Sequence, residues 1–214
     1  TRHQPFLEAC AQLKLEGDGA DLARVFQDSN GDSDIAKQLR WVSRLHKDRS
    51  RTRADVLQQD HGEAWLRHWH YRLLQQDPVR QPGQIKAIPN SAGNIVTTPP
   101  ECVSATMRLL IAEVLPSLPP GLARGVLGFV AMIHIHGFAD GNGRMGRFLL
   151  AWETESAGVP ALFYPTPVLG ELPRALDSVH FDHDIAPLSA ILKKAHMENA
   201  RMLEQFISSP GITA

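Results

Sequence analysis

Residues 133–147 read Ile133-His-Ile-His-Gly-Phe-Ala-Asp-Gly-Asn-Gly-Arg-Met-Gly-Arg147, a run that gathers a titratable base, a carboxylate, a glycine-rich turn and two arginines. Two glycines and an Asn at 141–143 favour a turn over a continuing helix. Beyond that turn, Met145, Phe148, Leu149 and Trp152 recur at three- and four-residue spacing, the apolar stripe of an amphipathic helix starting near Gly143. Before it, Leu122, Val126, Phe129, Val130 and Ile133 make a similar stripe. The spacing predicts helix, tight loop, helix.

A loop of this kind aims bare backbone N–H groups and the positive pole of the following helix at one point, which suits an anion and phosphate in particular. Arg144 and Arg147 share a face of the first turn and can grip phosphate oxygens in fork geometry, and two of them point to a di- or triphosphate. Asp140 stands where a carboxylate would hold a Mg²⁺ ion that bridges those phosphates. His136, with an ordinary pKa of roughly 6.5, can take a proton from an incoming hydroxyl. The set suits phosphoryl or nucleotidyl transfer.

The stretch His136 to Arg147 resembles the signature of the Fic-domain family, His-Pro-Phe-x-Asp/Glu-Gly-Asn-Gly-Arg-x-x-Arg, at every position except Gly137, where the family has Pro. That resemblance implies a mainly α fold, a helical bundle with a short β-hairpin flap. It implies transfer of a nucleoside monophosphate, most often AMP, from a nucleoside triphosphate to a Ser, Thr or Tyr hydroxyl of a target protein. By the same resemblance His136 is the general base, Phe138 anchors the loop in the core and Asp140 holds Mg²⁺. Gly141, Asn142 and Gly143 cradle the α- and β-phosphates, and Arg144 and Arg147 neutralise the β- and γ-phosphates. Gly137 makes the turn after the base more flexible than Pro would. The Gly137 variant is also similar to uridylyl-transferring effectors of plant pathogens. UTP therefore stands beside ATP as donor, and that likeness implies a host receptor-like kinase as target and a host cytoplasm as the place of action.

Two rival readings use the same residues. Gly141 to Gly146 satisfies the dinucleotide fingerprint G-x-G-x-x-G, but no strand precedes it and residues 159–170 hold no acid. His134, His136 and Asp140 could instead be ligands of a metal-dependent hydrolase, joined by Asp177, His180, Asp182, His183 and Asp184. On a helix, residues two apart face roughly opposite ways, which sets the histidines apart and leaves His134 as a packed residue behind the site. A catalytically silent nucleotide-binding module is the third alternative.

The chain has 214 residues, 43% of them hydrophobic and 21% charged, as in an ordinary globular protein with a sizeable core. A net charge of −1 argues against a broad nucleic-acid or membrane surface, so nucleotide binding must come from a local site. Cys10 and Cys102 form neither a disulfide framework nor a zinc pattern, and both are expected to be reduced and packed, consistent with a cytoplasm. No apolar run reaches the length of a membrane span and no signal peptide opens the sequence. The chain starts with Thr, as a fragment of a longer protein would.

Residues 1–80 are expected to form an N-terminal helical segment packed on a core of 81–214. Within 1–80, two short helices are predicted over 5–27, a polar loop over 28–34 and a helix over 35–47. A basic surface cluster follows at Arg44 to Arg53, then a helix over 54–76 with Trp65, Trp69 and Leu73 on its stripe. Residues 82–98 read as a β-hairpin whose arms carry Ile85 and Ile88, then Ile95 and Val96, across an Asn90–Asn94 turn. This segment is similar to the Fic flap, in which Ile85, Lys86, Ala87 and Ile88 would bind the target; a free strand edge can add a peptide strand. A helix is predicted over 101–115, and Phe163, Tyr164 and Pro165 could wall a base pocket. A last helix is predicted over 186–207. The inhibitory Ser/Thr-x-x-x-Glu-Gly/Asn pattern of many Fic proteins is missing in strict form: Gln12 and Lys194 precede Glu16-Gly17 and Glu198-Asn199. The domain is therefore expected not to be restrained in cis by that device.

Overall fold

In the computed structural model the described residues are 40, 41, 43, 44, 62–75, 77–158 and 166–209. The predicted elements over 5–27 and 28–34, most of 35–47 and the basic cluster, residues 54–61, and Phe163 to Pro165 lie outside them. Helices make up most of the described chain: α1 (Gly62–Leu74), α2 (Pro100–Leu109), α3 (Leu122–Ile135), α4 (Asn142–Ser156), α5 (Thr166–Asp177) and α6 (Ala186–Ile207). A single antiparallel hairpin joins β1 (Ser91–Ala92) to β2 (Ile95–Val96), with Ser91 opposite Val96 and Ala92 opposite Ile95. The chain divides into two compact units, Asp48–Ala161, and Thr1–Lys47 with Leu162–Ala214.

The first unit is built on the apolar stripes already visible in sequence. On α1, Trp65, Trp69 and Leu73 are buried, and Trp65 meets Trp152 of α4 at 5.0 Å between ring centroids while Trp69 meets Phe148 at 4.8 Å. Helices α3 and α4 approach closely because glycines face bulky partners: a methyl group on Gly128 would lie 2.7 Å from Leu149, and one on Gly146 would lie 2.8 Å from Phe129. Such spacing is tighter than normal packing tolerates, so the residues at these positions set the interhelical distance. Nearby, Arg124 Nε donates to Glu153 Oε2 at 2.6 Å, and Glu153 is wholly buried. Burial pushes the Glu153 carboxyl up and Arg124 opposes that rise.

Helix α2 opens on Pro100, whose missing N–H is harmless at the first helical position, and buries Val103 and Met107. It runs on through one wide π turn at Leu110–Val114 and a tight turn at Leu115–Ser117. The expected packing of Cys102 is not found: its thiol is free and exposed, because the buried face of α2 runs through Val103 and Met107 and turns position 102 outward. Cys10 lies outside the described residues.

The hairpin is shorter than expected and shifted towards the C-terminus. Its turn is the residue pair Gly93-Asn94, with Gly93 at φ +61°, a geometry glycine adopts without strain. Ile85 and Ile88 are therefore not on a hairpin arm. Ile85 instead forms an isolated antiparallel bridge with Phe138 of the motif loop, leaving Ile88 exposed. In the second unit, α6 buries Leu188, Ile191, Leu192, Ala195, Met202 and Phe206 along one stripe, as its spacing predicts. No helix among the described residues is long and apolar enough to cross a membrane.

Candidate active site

The motif folds as helix, six-residue loop, helix, with α3 ending at Ile135 and α4 starting at Asn142. His136 takes the left-handed conformation (φ 45°, ψ 47°) that commonly stops a helix, and its N–H still reaches the Met132 carbonyl at 3.1 Å. Its ring is held as well. Nδ1 lies 3.2 Å from the carbonyl oxygen of Ile133, which can only accept, so Nδ1 carries the proton and Nε2 keeps a lone pair. Burial lowers the His136 pKa below its ordinary value, and the nearby Lys86 charge adds to that effect against the Ile133 bond and Asp140. At neutral pH the ring is an uncharged base.

At the other end of the loop, Gly141 sits at φ +79°, and a side chain there would meet Leu74 at 2.5 Å and His70 at 3.0 Å. Glycine is required twice over, by conformation and by the approach of α1. Helix α4 has no side-chain cap and no acid in its first turn, so its first-turn amides are left without side-chain acceptors, while the Asp140 carboxylate just before it takes the Gly141 N–H. Arg144 lies within electrostatic range of Asp140, Asp77 and Arg80; it makes no side-chain hydrogen bond or ion pair with the described residues. Its pKa is lowered, chiefly by burial and then by Arg80. Arg147 places Nη1 3.4 Å from where a side chain on Gly143 would stand, so both motif arginines lie against the start of α4.

Asn142 does something the sequence does not reveal. Its buried side chain accepts from the Phe138 N–H at 2.9 Å and donates to the Phe138 carbonyl at 2.8 Å, closing the loop on itself. Only its backbone is left to face a ligand. Phe138 is fully buried and stacks flat on His70, with centroids 3.7 Å apart and planes 2° from parallel.

His70, on α1, was not singled out by sequence, yet it braces the whole loop. Nε2 donates to the Asp140 carbonyl at 2.8 Å, and Nδ1 accepts from the Gly83 N–H at 2.9 Å, the pattern of one neutral tautomer. Burial outweighs the attraction of Asp140 and lowers its pKa to about 4. The available signal was its spacing, four residues after Leu66 and four before Leu74 on the buried face of α1.

A second brace comes from the segment before the hairpin. The Lys86 N–H donates to the Gly137 carbonyl at 2.9 Å, and its buried ammonium donates to Asn90 Oδ1 at 2.6 Å and Thr97 Oγ1 at 2.8 Å. Asn90 Nδ2 in turn reaches the carbonyls of Phe138 at 3.1 Å and His136 at 3.4 Å. The Lys86 side chain points inward, held by Asn90 and Thr97. Of the four residues expected to meet a target, Ala87 and Ile88 are exposed and Ile85 is half-buried.

Gly137 also departs from its sequence reading. Its carbonyl is tied to Lys86, and an added side chain would lie 2.3 Å from Met107 and 2.7 Å from Val103. Close approach of α2 accounts for the glycine, and flexibility does not. Of the proposed metal-hydrolase ligands, His134 is the penultimate residue of α3 and His136 follows its end. Among the described residues no group of three or more His, Cys, Asp or Glu side chains could hold a metal ion.

Comparison with known proteins agrees with this geometry. Residues 60–153 match the Fic/DOC family. The structure of Fic-1 (residues 134–508) from C. elegans superposes with a TM-score of 0.65 at 21% identity, covering 94% of this chain and 62% of that one. A Fic domain-containing signaling protein from Bacteroides thetaiotaomicron gives 0.62 at 17% identity, covering 96% and 84%. A Fic family protein from Desulfovibrio desulfuricans G20 gives 0.62 at 18% identity, covering 95% and 64%. These likenesses are of fold, and the chain spans under two thirds of the length of the C. elegans structure. No curated protein matches it. The uridylyl-transferring effectors in particular gain no support from these matches.

Two outcomes follow for the motif loop. Gly137→Ala should lower unfolding free energy by about 1–3 kcal/mol, the usual cost of overpacking, and that increment should shrink when it is measured in a Met107→Ala background; urea denaturation measures both. His70 should make stability pH-dependent. Its folded pKa of about 4 lies below the unfolded value of 6.5, so the unfolded chain binds the extra proton in that window. Stability should be retained above pH 6.5 and fall as pH drops towards about 4, and His70→Gln should flatten the slope.

Proposed function

We propose that this chain transfers a nucleoside monophosphate from a nucleoside triphosphate to a hydroxyl group of a target protein, releasing pyrophosphate. ATP is the first candidate donor and UTP the second. One observation carries the reading: a neutral imidazole, with Nε2 free of partners among the described residues, ends the helix that precedes an uncapped helix N-terminus with no acid in its first turn.

The chemistry assigned to each group follows. His136 Nε2 takes the proton of the incoming hydroxyl, whose oxygen bonds to the α-phosphorus as the bond from that phosphorus to the bridging oxygen breaks. The first-turn amides of α4, including that of Gly143, hold phosphate oxygens, and Arg144 and Arg147 balance the charge that builds on departing pyrophosphate. Asp140 suits Mg²⁺: its carboxylate is half-exposed and hard, and it keeps lone pairs beyond those engaged by Gly141 and Arg80. The ion would add charge neutralisation at the phosphates. Ile88 and Val96, large apolar side chains exposed on and beside the hairpin, offer a surface for the target chain. A host receptor-like kinase remains the target implied by the effector resemblance.

Protein incubated with labelled ATP or UTP, Mg²⁺ and a lysate should pass label to another protein, and His136→Ala should cut the rate by on the order of 10²-fold or more. The acid limb of the rate profile should lie below pH 6.5, as the lowered His136 pKa requires. Nucleotide binding without transfer, or label transfer that His136→Ala leaves intact, would contradict the proposal.

A further inference from the structure

The carboxylate best suited to a metal is already held by a cation from outside the motif. Arg80, in the tight turn Pro78–Arg80, donates Nη1 to Asp140 Oδ2 and Nε to Asp77 Oδ2, the latter at 2.6 Å. Asp77 grips one edge of the guanidinium and leaves its other end over the motif loop. Arg144 senses the same charge, since Arg80 is the second cause of its lowered pKa. Two guanidinium groups from separate elements thus stand close to one exposed carboxylate, and Arg144 makes no ion pair with the described residues.

We infer that Arg80 is a third phosphate-binding arginine of this site, kept on Asp140 while the site lacks a polyphosphate and passed to the phosphate oxygens when one arrives. This rests on the reading of the loop as a triphosphate pocket. The physics favours the exchange. Arg80 and Arg144 repel, with Asp140 and Asp77 offsetting that repulsion in part, and a triphosphate brings several further negative charges to the same place. A guanidinium can hold phosphate oxygens in fork geometry as readily as it holds a carboxylate. Arg80 is about one-third exposed, with side-chain accessibility of 35%, so its head can move without opening the core. Departure of Arg80 also frees Asp140 Oδ2 of its partner.

The experiment uses the whole chain in the presence of chelator, so that metal binding plays no part. Inorganic tripolyphosphate and ATP are titrated by calorimetry against the wild type, Arg80→Ala and Arg80→Lys, with thermal melting to verify folding. Arg80→Ala should weaken both ligands by about 10-fold, and Arg80→Lys should recover part of the loss, since it keeps the charge without the fork. Asp140→Asn should tighten both ligands in the wild type, with a smaller gain once Arg80 is also Ala, because the released guanidinium is then missing. Unchanged affinity in a folded Arg80→Ala, or no tripolyphosphate binding by the wild type, would overturn the inference. Because binding is read without turnover, weaker binding in Arg80→Ala beside an absence of transfer would uphold Arg80's role and defeat the proposed reaction instead.

Discussion

The structure depends on a side-chain amide that stands in for backbone. Asn142 closes the six-residue loop by pairing with both the N–H and the carbonyl of Phe138, inside the protein where neither group could reach water. Without it, the buried Phe138 N–H would be left unsatisfied at a cost of about 1–3 kcal/mol, and the carbonyl would keep only its bond from Asn90. The clasp draws the end of α3 and the start of α4 to a fixed separation. The left-handed turn at His136, the burial of Phe138 and the exposed first-turn amides of α4 all presuppose that separation.

Around this clasp the protein has placed buried polar braces from two other elements. His70 of α1 holds the far side of the loop through the Asp140 carbonyl and stacks beneath Phe138. Lys86 and Asn90 hold the near side through the carbonyls of Gly137, Phe138 and His136. Both groups are expensive to bury and are satisfied by hydrogen bonds, which makes the network sensitive to loss of any one member. The reward is orientation: a base whose tautomer is set by a carbonyl, beside a helix whose first turn holds no acid. Such preorganisation is what charge development in phosphate chemistry needs.

The helices around the loop were legible from sequence because their burial is local and periodic. Trp65, Trp69, Phe148 and Trp152 announce their faces by spacing alone, and the glycine at 141 marks the turn. The braces were not legible. Lys86 reads as a surface lysine near a flap, and only the fold shows its ammonium enclosed by Asn90 and Thr97. Gly137 reads as slack in the chain, whereas the neighbour that excludes a side chain, Met107, is thirty residues away in sequence. The hairpin was placed correctly in kind and wrongly in register, since Ile85 answers to Phe138 across the loop and not to a hairpin partner. Long-range pairing of this sort leaves no periodic trace.

The central claim is that this loop is a finished phosphate cradle before any nucleotide arrives. A crystal structure with a non-hydrolysable ATP analogue and Mg²⁺ tests it most directly. The account predicts phosphate oxygens on the first-turn amides of α4 and on Arg144, with His136 Nε2 facing the α-phosphate and the Asn142 clasp unchanged. A nucleotide bound elsewhere, or a loop that had to release Phe138 from Asn142 to admit it, would contradict the account.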